Sequence, residues 1–75
     1  MSFNAYLKNI EAKTGKSPED FRRLAKEKGF TKDGRLAQGI KAGTIANWLK
    51  ADFGLGHGHA MAIVALLNGS KSEGD

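Results

Sequence analysis

The stretch Gly54-Leu55-Gly56-His57-Gly58-His59-Ala60-Met61-Ala62-Ile63 decides how this chain folds. A glycine can take the left-handed backbone that ends a helix, and Gly54 follows an amphipathic run containing Ile45, Trp48 and Leu49. Gly56 stands two residues later, and a dense apolar run from Ala60 to Leu67 starts almost at once. The reading is helix, tight glycine hairpin, helix, with Leu55 turned inward to couple the two. Ala60 is small enough for the helices to approach closely. The first amides of the second helix, those of Gly56, His57, Gly58 and His59, have no partner within the helix and carry about half a positive charge.

Working outward, two helices follow the apolar stripes, at 42–53 and 57–68. Ala60, Met61, Ile63, Val64, Leu66 and Leu67 make the latter apolar nearly all round, so it is either central to the core or covered by a partner. Upstream, Phe3, Tyr6, Leu7 and Ile10 recur at helical spacing and predict a helix at 3–13, with Ser2 as N-cap and Gly15 as stop. Ser17, Pro18 and Asp20 form a strong start signal for a helix at 18–28, with Phe21, Leu24 and Ala25 inward and a Glu19–Arg23 pair at i,i+4. Residues 30–40 read as an irregular loop with one turn around Arg35–Gln38, pinned by Leu36 and Ile40. No 4–8-residue stretch alternates with period two, so no strand is predicted. The fold class is all-α, a bundle of four short helices: one domain over 1–69 and a polar disordered tail over 70–75. The supply of large apolar residues, Met61 included, suffices for one layer of packed helices, although so small a domain buries only about 60% of its unfolded surface.

The chain has 75 residues, net charge +4 and no cysteine. Disulfides and thiolate metal sites are excluded. No apolar run approaches a membrane span and no signal-peptide pattern opens the chain, so the default address is cytoplasmic. The charge is uneven: +5 between Arg22 and Lys41, −1 over the rest. Such a basic stretch favours anionic partners, nucleic acid foremost. It also suits a helix opened by Glu19 and Asp20 and closed by cations.

The order helix, Gly54-Leu55-Gly56, three residues, Ala60, apolar helix resembles the helix-hairpin-helix motif. In that family the hairpin amides and the following helix N-terminus bind a DNA phosphate without reading sequence. This chain has Phe53 where the motif usually has proline, and His57-Gly58-His59 where it usually has a lysine or arginine. Two hairpins normally pair, and Lys13-Thr14-Gly15-Lys16 is the only candidate for the second. Almost the full length, from Ser2-Phe3, Tyr6-Leu7 and Asn9–Lys16 through Pro18–Phe21, Lys41–Gly43 and Trp48–Lys50 to Asp52–Gly56 and Gly58–Ala62, resembles a family of small bacterial proteins common in actinobacteria, described as domain of unknown function 4287. The resemblance implies an all-helical stand-alone domain and no catalytic assignment.

The functional expectation is a small non-enzymatic binding module. It holds nucleic-acid phosphate through Gly54, Gly56, His57, Gly58 and His59, with Lys41, Lys50, Arg22, Arg23 and Lys26 supplying attraction. The alternative is a protein-interaction or homodimerisation module without nucleic acid. A hairpin with no ligand is the plain structural reading of the same glycines. Leu24–Gly29 with Thr44–Lys50 look like a helix-turn-helix pair, but the connection is far longer than the usual ~3–4 residues. His57 and His59 at i,i+2 do not share a helix face, and with Asp52 they make a poor metal set. No cofactor, metal, membrane or small-molecule substrate is expected, because so shallow a bundle leaves little room against the ~300–1,000 Å³ of typical ligand sites.

Overall fold

The structure, a computed structural model, describes residues 3–71. The expected N-cap Ser2 and tail residues 72–75 lie outside the described residues. Four helices carry the fold: α1 (Phe3–Thr14), α2 (Pro18–Glu27), α3 (Ala42–Phe53) and α4 (His57–Leu67). All four expected helices are present, with ends that differ by a residue at most.

The first of them to be fixed locally is α2. Ser17 sits in extended backbone as N-cap, and Pro18 supplies a preset first helical position. The Ser17 amide donates to Asp20 Oδ2 at 2.9 Å and the Asp20 amide donates to Ser17 Oγ at 3.3 Å, closing a capping box. On its outer face Glu19 meets Arg22 at 3.0 Å, one residue short of the expected Arg23. Arg23 lies between Asp20 at 3.6 Å and Glu27 at 3.9 Å.

The segment after α2 departs from the expectation. Thr31–Lys32 (β1) and Arg35–Leu36 (β2) form a two-stranded antiparallel hairpin, with Thr31 opposite Leu36 and Lys32 opposite Arg35. The turn expected around Arg35–Gln38 falls slightly later, at Ala37–Ile40, where the Ile40 amide donates to the Ala37 carbonyl at 3.0 Å. The reason is the Asp33-Gly34 pair, whose φ values are 55° and 79°. A two-residue hairpin loop of the mirror-image type requires positive φ at both central positions, and Asp-Gly is among the sequences that reach them most readily. Leu36 and Ile40 do pack against the core, as expected.

The core gathers around α4. Ala60, Ala62, Ile63, Val64, Leu66 and Leu67 are buried, and α1, α2 and α3 all pack on this helix. Of the two readings open to an apolar helix, the structure takes the central one. Met61 corrects the core expectation: it is 38% exposed. The small residues Ala25, Ala46, Ala60 and Ala62 take buried places beside the large ones.

A chain of edge-to-face rings ties the rest together. Phe21 of α2 meets Phe53 of α3 at 5.2 Å, Phe53 meets Trp48 at 5.6 Å, and Trp48 meets Phe30 at 5.5 Å. The hairpin is thereby attached at its base. Lys28 lies over Trp48, 5.8 Å from the ring centroid. The Trp48 Nε1 atom is buried without a hydrogen-bond partner among the described residues.

A buried N–H without an acceptor costs about 1–3 kcal/mol. Trp48→Phe removes it and keeps an aromatic ring at the cost of a small cavity, so it should destabilise less than Trp48→Ala. Trp48→Ala should cost about 3–5 kcal/mol. Urea unfolding followed by circular dichroism checks both; a loss in Trp48→Phe as large as that in Trp48→Ala would contradict this expectation.

Candidate nucleic-acid interface

At the α3–α4 joint, Gly54 ends α3 in the left-handed region, with φ 65° and ψ 24°. Its amide donates to the Lys50 carbonyl at 3.1 Å and the Leu55 amide to the Leu49 carbonyl at 3.5 Å, so the last turn of α3 is closed on itself. Leu55 is buried, as its place between the glycines predicts. Gly56 then caps α4 from extended backbone, φ −73° and ψ 170°, and its carbonyl accepts from the Ala60 amide at 2.9 Å.

The two hairpin glycines are therefore not equivalent. Gly54 needs glycine for its backbone. Gly56 does not: any residue adopts its φ of −73°. A Cβ at Gly56 or Gly58 would also meet nothing within 4 Å. Neither φ nor packing explains glycine at those two positions.

No side chain caps α4. Among the described residues the amides of His57, Gly58 and His59 have no acceptor, and Gly56, His57 and Gly58 are exposed. His59 is half-buried and stands edge-on to Tyr6 of α1, ring centroids 5.4 Å apart. Both departures from the hairpin motif thus have structural counterparts: Phe53 serves the ring chain, and His59 leans on α1. Among the described residues no group of three or more His, Cys, Asp or Glu could hold a metal ion.

The second candidate hairpin is closed. Gly15 does turn the chain, at φ 73°. The start of α2 that follows it is already occupied by the Ser17–Asp20 box, and a carboxylate stands where an anion would go. The Asp20 carboxyl is held below its ordinary 3.8, first by the Ser17 backbone N–H, then by the Ser17 hydroxyl and the nearby Arg23 and Lys16 charges, against an opposing effect of burial.

The expected site residues separate into groups. Lys50, exposed one turn before Gly54, accompanies Gly54, Gly56, His57, Gly58 and His59. Lys41 caps the opposite end of α3, which at 1.5 Å per residue is about 18 Å away. Arg23 is engaged with Asp20 and Glu27. Arg22 and Lys26 face elsewhere: they line a cavity of about 360 Å³ with Thr31, Lys32, Asp33, Gly34, Leu66 and Leu67. That open cavity stands at the low end of the ~300–1,000 Å³ of typical ligand sites, and it lies beside the other end of α4. Sequence reasoning missed Lys32 and Gly34 as neighbours of Arg22 and Lys26, because it missed the hairpin that brings them there. The Asp33-Gly34 pair was the available signal.

The family model described as Domain of unknown function (DUF4287) matches residues 2–69, and the chain belongs to that family. No curated protein and no solved structure matches it. No helix among the described residues is long and apolar enough to cross a membrane.

The lowered Asp20 carboxyl links stability to pH. A carboxyl depressed by folding contributes stability that is complete above its ordinary value of 3.8 and is lost as pH falls below it, through the folded value. Melting temperatures followed from neutral pH to about pH 2 should show this loss, and Asp20→Asn should flatten that part of the acid profile. An unchanged profile in Asp20→Asn would assign the acid loss to other carboxyls.

Proposed function

We propose that this domain binds nucleic-acid backbone without reading sequence, a phosphate seated on the open N-terminus of α4. One observation carries the reading. Gly56 and Gly58 flank unpartnered amides at positions where neither backbone angle nor packing calls for glycine. In a helix Cα–Cβ bonds tilt toward the N-terminus, so a side chain at Gly58 would lean over these donors. Leaving it out lets a phosphate oxygen approach the amides of His57, Gly58 and His59, which the helix dipole favours.

The side-chain electrostatics are modest. Lys50 adds a cation one turn away, and the exposed Asp52 opposes it. Backbone donors rather than a basic cluster carry this contact, and the remaining net charge gives long-range attraction. The helix-hairpin-helix resemblance points the same way. Self-association loses its main motive, since α4 is covered by helices of its own chain.

Gly58→Ala separates binding from folding. Alanine is the better helix former by up to about 1 kcal/mol, so stability should rise. Binding to a short DNA duplex, measured by fluorescence anisotropy at low salt, should fall. In the unaltered protein affinity should drop with added salt, by a slope of roughly −0.9 per phosphate neutralised. Lys50→Glu should weaken binding and Asp52→Asn strengthen it. Unaltered affinity in Gly58→Ala, or no binding at low salt, refutes the reading.

A further inference from the structure

The β1–β2 hairpin carries charge that its own fold does not call for. Its residues alternate: Thr31 and Leu36 are half-buried, Leu36 against the core, while Lys32 and Arg35 are exposed. Lys32 and Arg35 stand directly opposite each other. Their Cβ atoms are therefore about 5 Å apart on one face of the ribbon, and like charges so placed destabilise a strand pair. The ladder has one further pair, Thr31 with Leu36, to offset the repulsion. Charge that blunts a sheet edge is not required either, because strands this short are already poor templates for pairing.

No acid relieves the doublet. The α2 carboxylates of Glu19, Asp20 and Glu27 pair with Arg22 and Arg23. Lys26, exposed on the same helix, borders the same surface hollow as Lys32. Among the described residues Lys26, Lys32 and Arg35 have no carboxylate within ion-pair reach. Against these three cations stands the turn residue Asp33. The ribbon is also held at both ends. At its base Phe30 meets Trp48 at 5.5 Å. At its tip a Cβ on Gly69 would stand 3.3 Å from the Gly34 carbonyl oxygen and 3.9 Å from Arg35 Cγ, so the chain leaving α4 runs directly against the turn.

We infer that this ribbon is a second nucleic-acid contact: Lys32 and Arg35 together clasp one backbone phosphate, with Lys26 beside them, on the same duplex that the α4 N-terminus holds. This second contact rests on the phosphate-binding reading above and adds to it residues from another part of the chain. A phosphate suits the doublet, since the arginine fork and the lysine point charge can share its oxygens and cancel their mutual repulsion. The two contacts stand at opposite ends of α4, about 15 Å apart along an eleven-residue helix. A duplex advances about 3.4 Å per base pair, so phosphates some four or five base pairs apart reach both.

The test is fluorescence anisotropy of the full chain with a 12-base-pair duplex over a range of salt concentrations, with a thermal melt of every variant. Lys32→Gln and Arg35→Gln should each weaken binding about tenfold at low salt and make the salt slope shallower by about 1. Their melting temperatures should hold or rise, because the cross-strand repulsion is gone. Asp33→Asn keeps a residue suited to the turn and removes the opposing charge, so it should tighten binding. Lys13→Gln makes the same charge change at an exposed position of α1 and should alter affinity by less than roughly twofold. Unaltered binding in Lys32→Gln and Arg35→Gln, with Gly58→Ala still impaired, overturns the ribbon contact and leaves the α4 site standing. The reverse pattern overturns the α4 site and keeps the ribbon. A loss in Lys13→Gln equal to that in the ribbon variants reduces the effect to net charge and overturns the inference, and absence of binding at low salt overturns both contacts.

Discussion

Everything in this domain rests on the burial of α4. Its eleven residues include no Asp, Glu, Lys or Arg, and Ile63, Val64, Leu66 and Leu67 are at most 3% exposed. Such a helix has no polar face to give to water, so the other elements must cover it. α1, α2 and α3 do so, and Phe30 and Leu36 pack against the same core. Ala60 and Ala62 keep the contact close where a larger side chain would hold the helices apart. At about 0.8 kcal/mol per buried methylene, this one helix accounts for much of the apolar stabilisation available to so short a chain.

The same constraint sets where chemistry can occur. A buried helix offers the surroundings only its ends. At the N-terminal end the glycines leave uncapped amides in the open. At the other, Leu66 and Leu67 reach the wall of a basic cavity. The side of the helix is spent on packing, with Met61 the large apolar exception. The contrast with α2 is instructive. Both helices follow a glycine-containing joint, yet α2 closes its own N-terminus with Ser17 and Asp20 while α4 does not. The difference lies in two side chains, and it separates a closed helix start from an uncapped one.

Much of this was legible in the residues. Ser17-Pro18-Glu19-Asp20 announces α2 because each feature acts within one turn, and Gly54 announces the end of α3 because only the backbone at that position is involved. Leu55 was expected inward and lies inward. The joint itself was legible as a shape, and the structure adds that Gly56 brings no side chain to cap α4. The hairpin was harder. Strands of two residues are too short to show alternation, and Gly34 and Gly39 around Arg35–Gln38 read as an irregular loop with one turn. The Asp33-Gly34 pair outweighed that pattern because a turn with two positive φ values forces the flanking residues to run antiparallel.

The sequence by itself determined the four helices and their stops, since caps, glycines and apolar period act over a few residues and need no distant partner; it left open whether the uncharged helix is central or covered by a partner. Tertiary structure alone decided which cations stand together. Arg22 and Lys26 face one way, Lys41 and Lys50 lie at opposite ends of α3, and Lys32 joins the first pair only because the hairpin folds back over α2. Charge adds along a sequence, but a ligand responds to it over a few ångströms, and that separation exists only once the chain has packed.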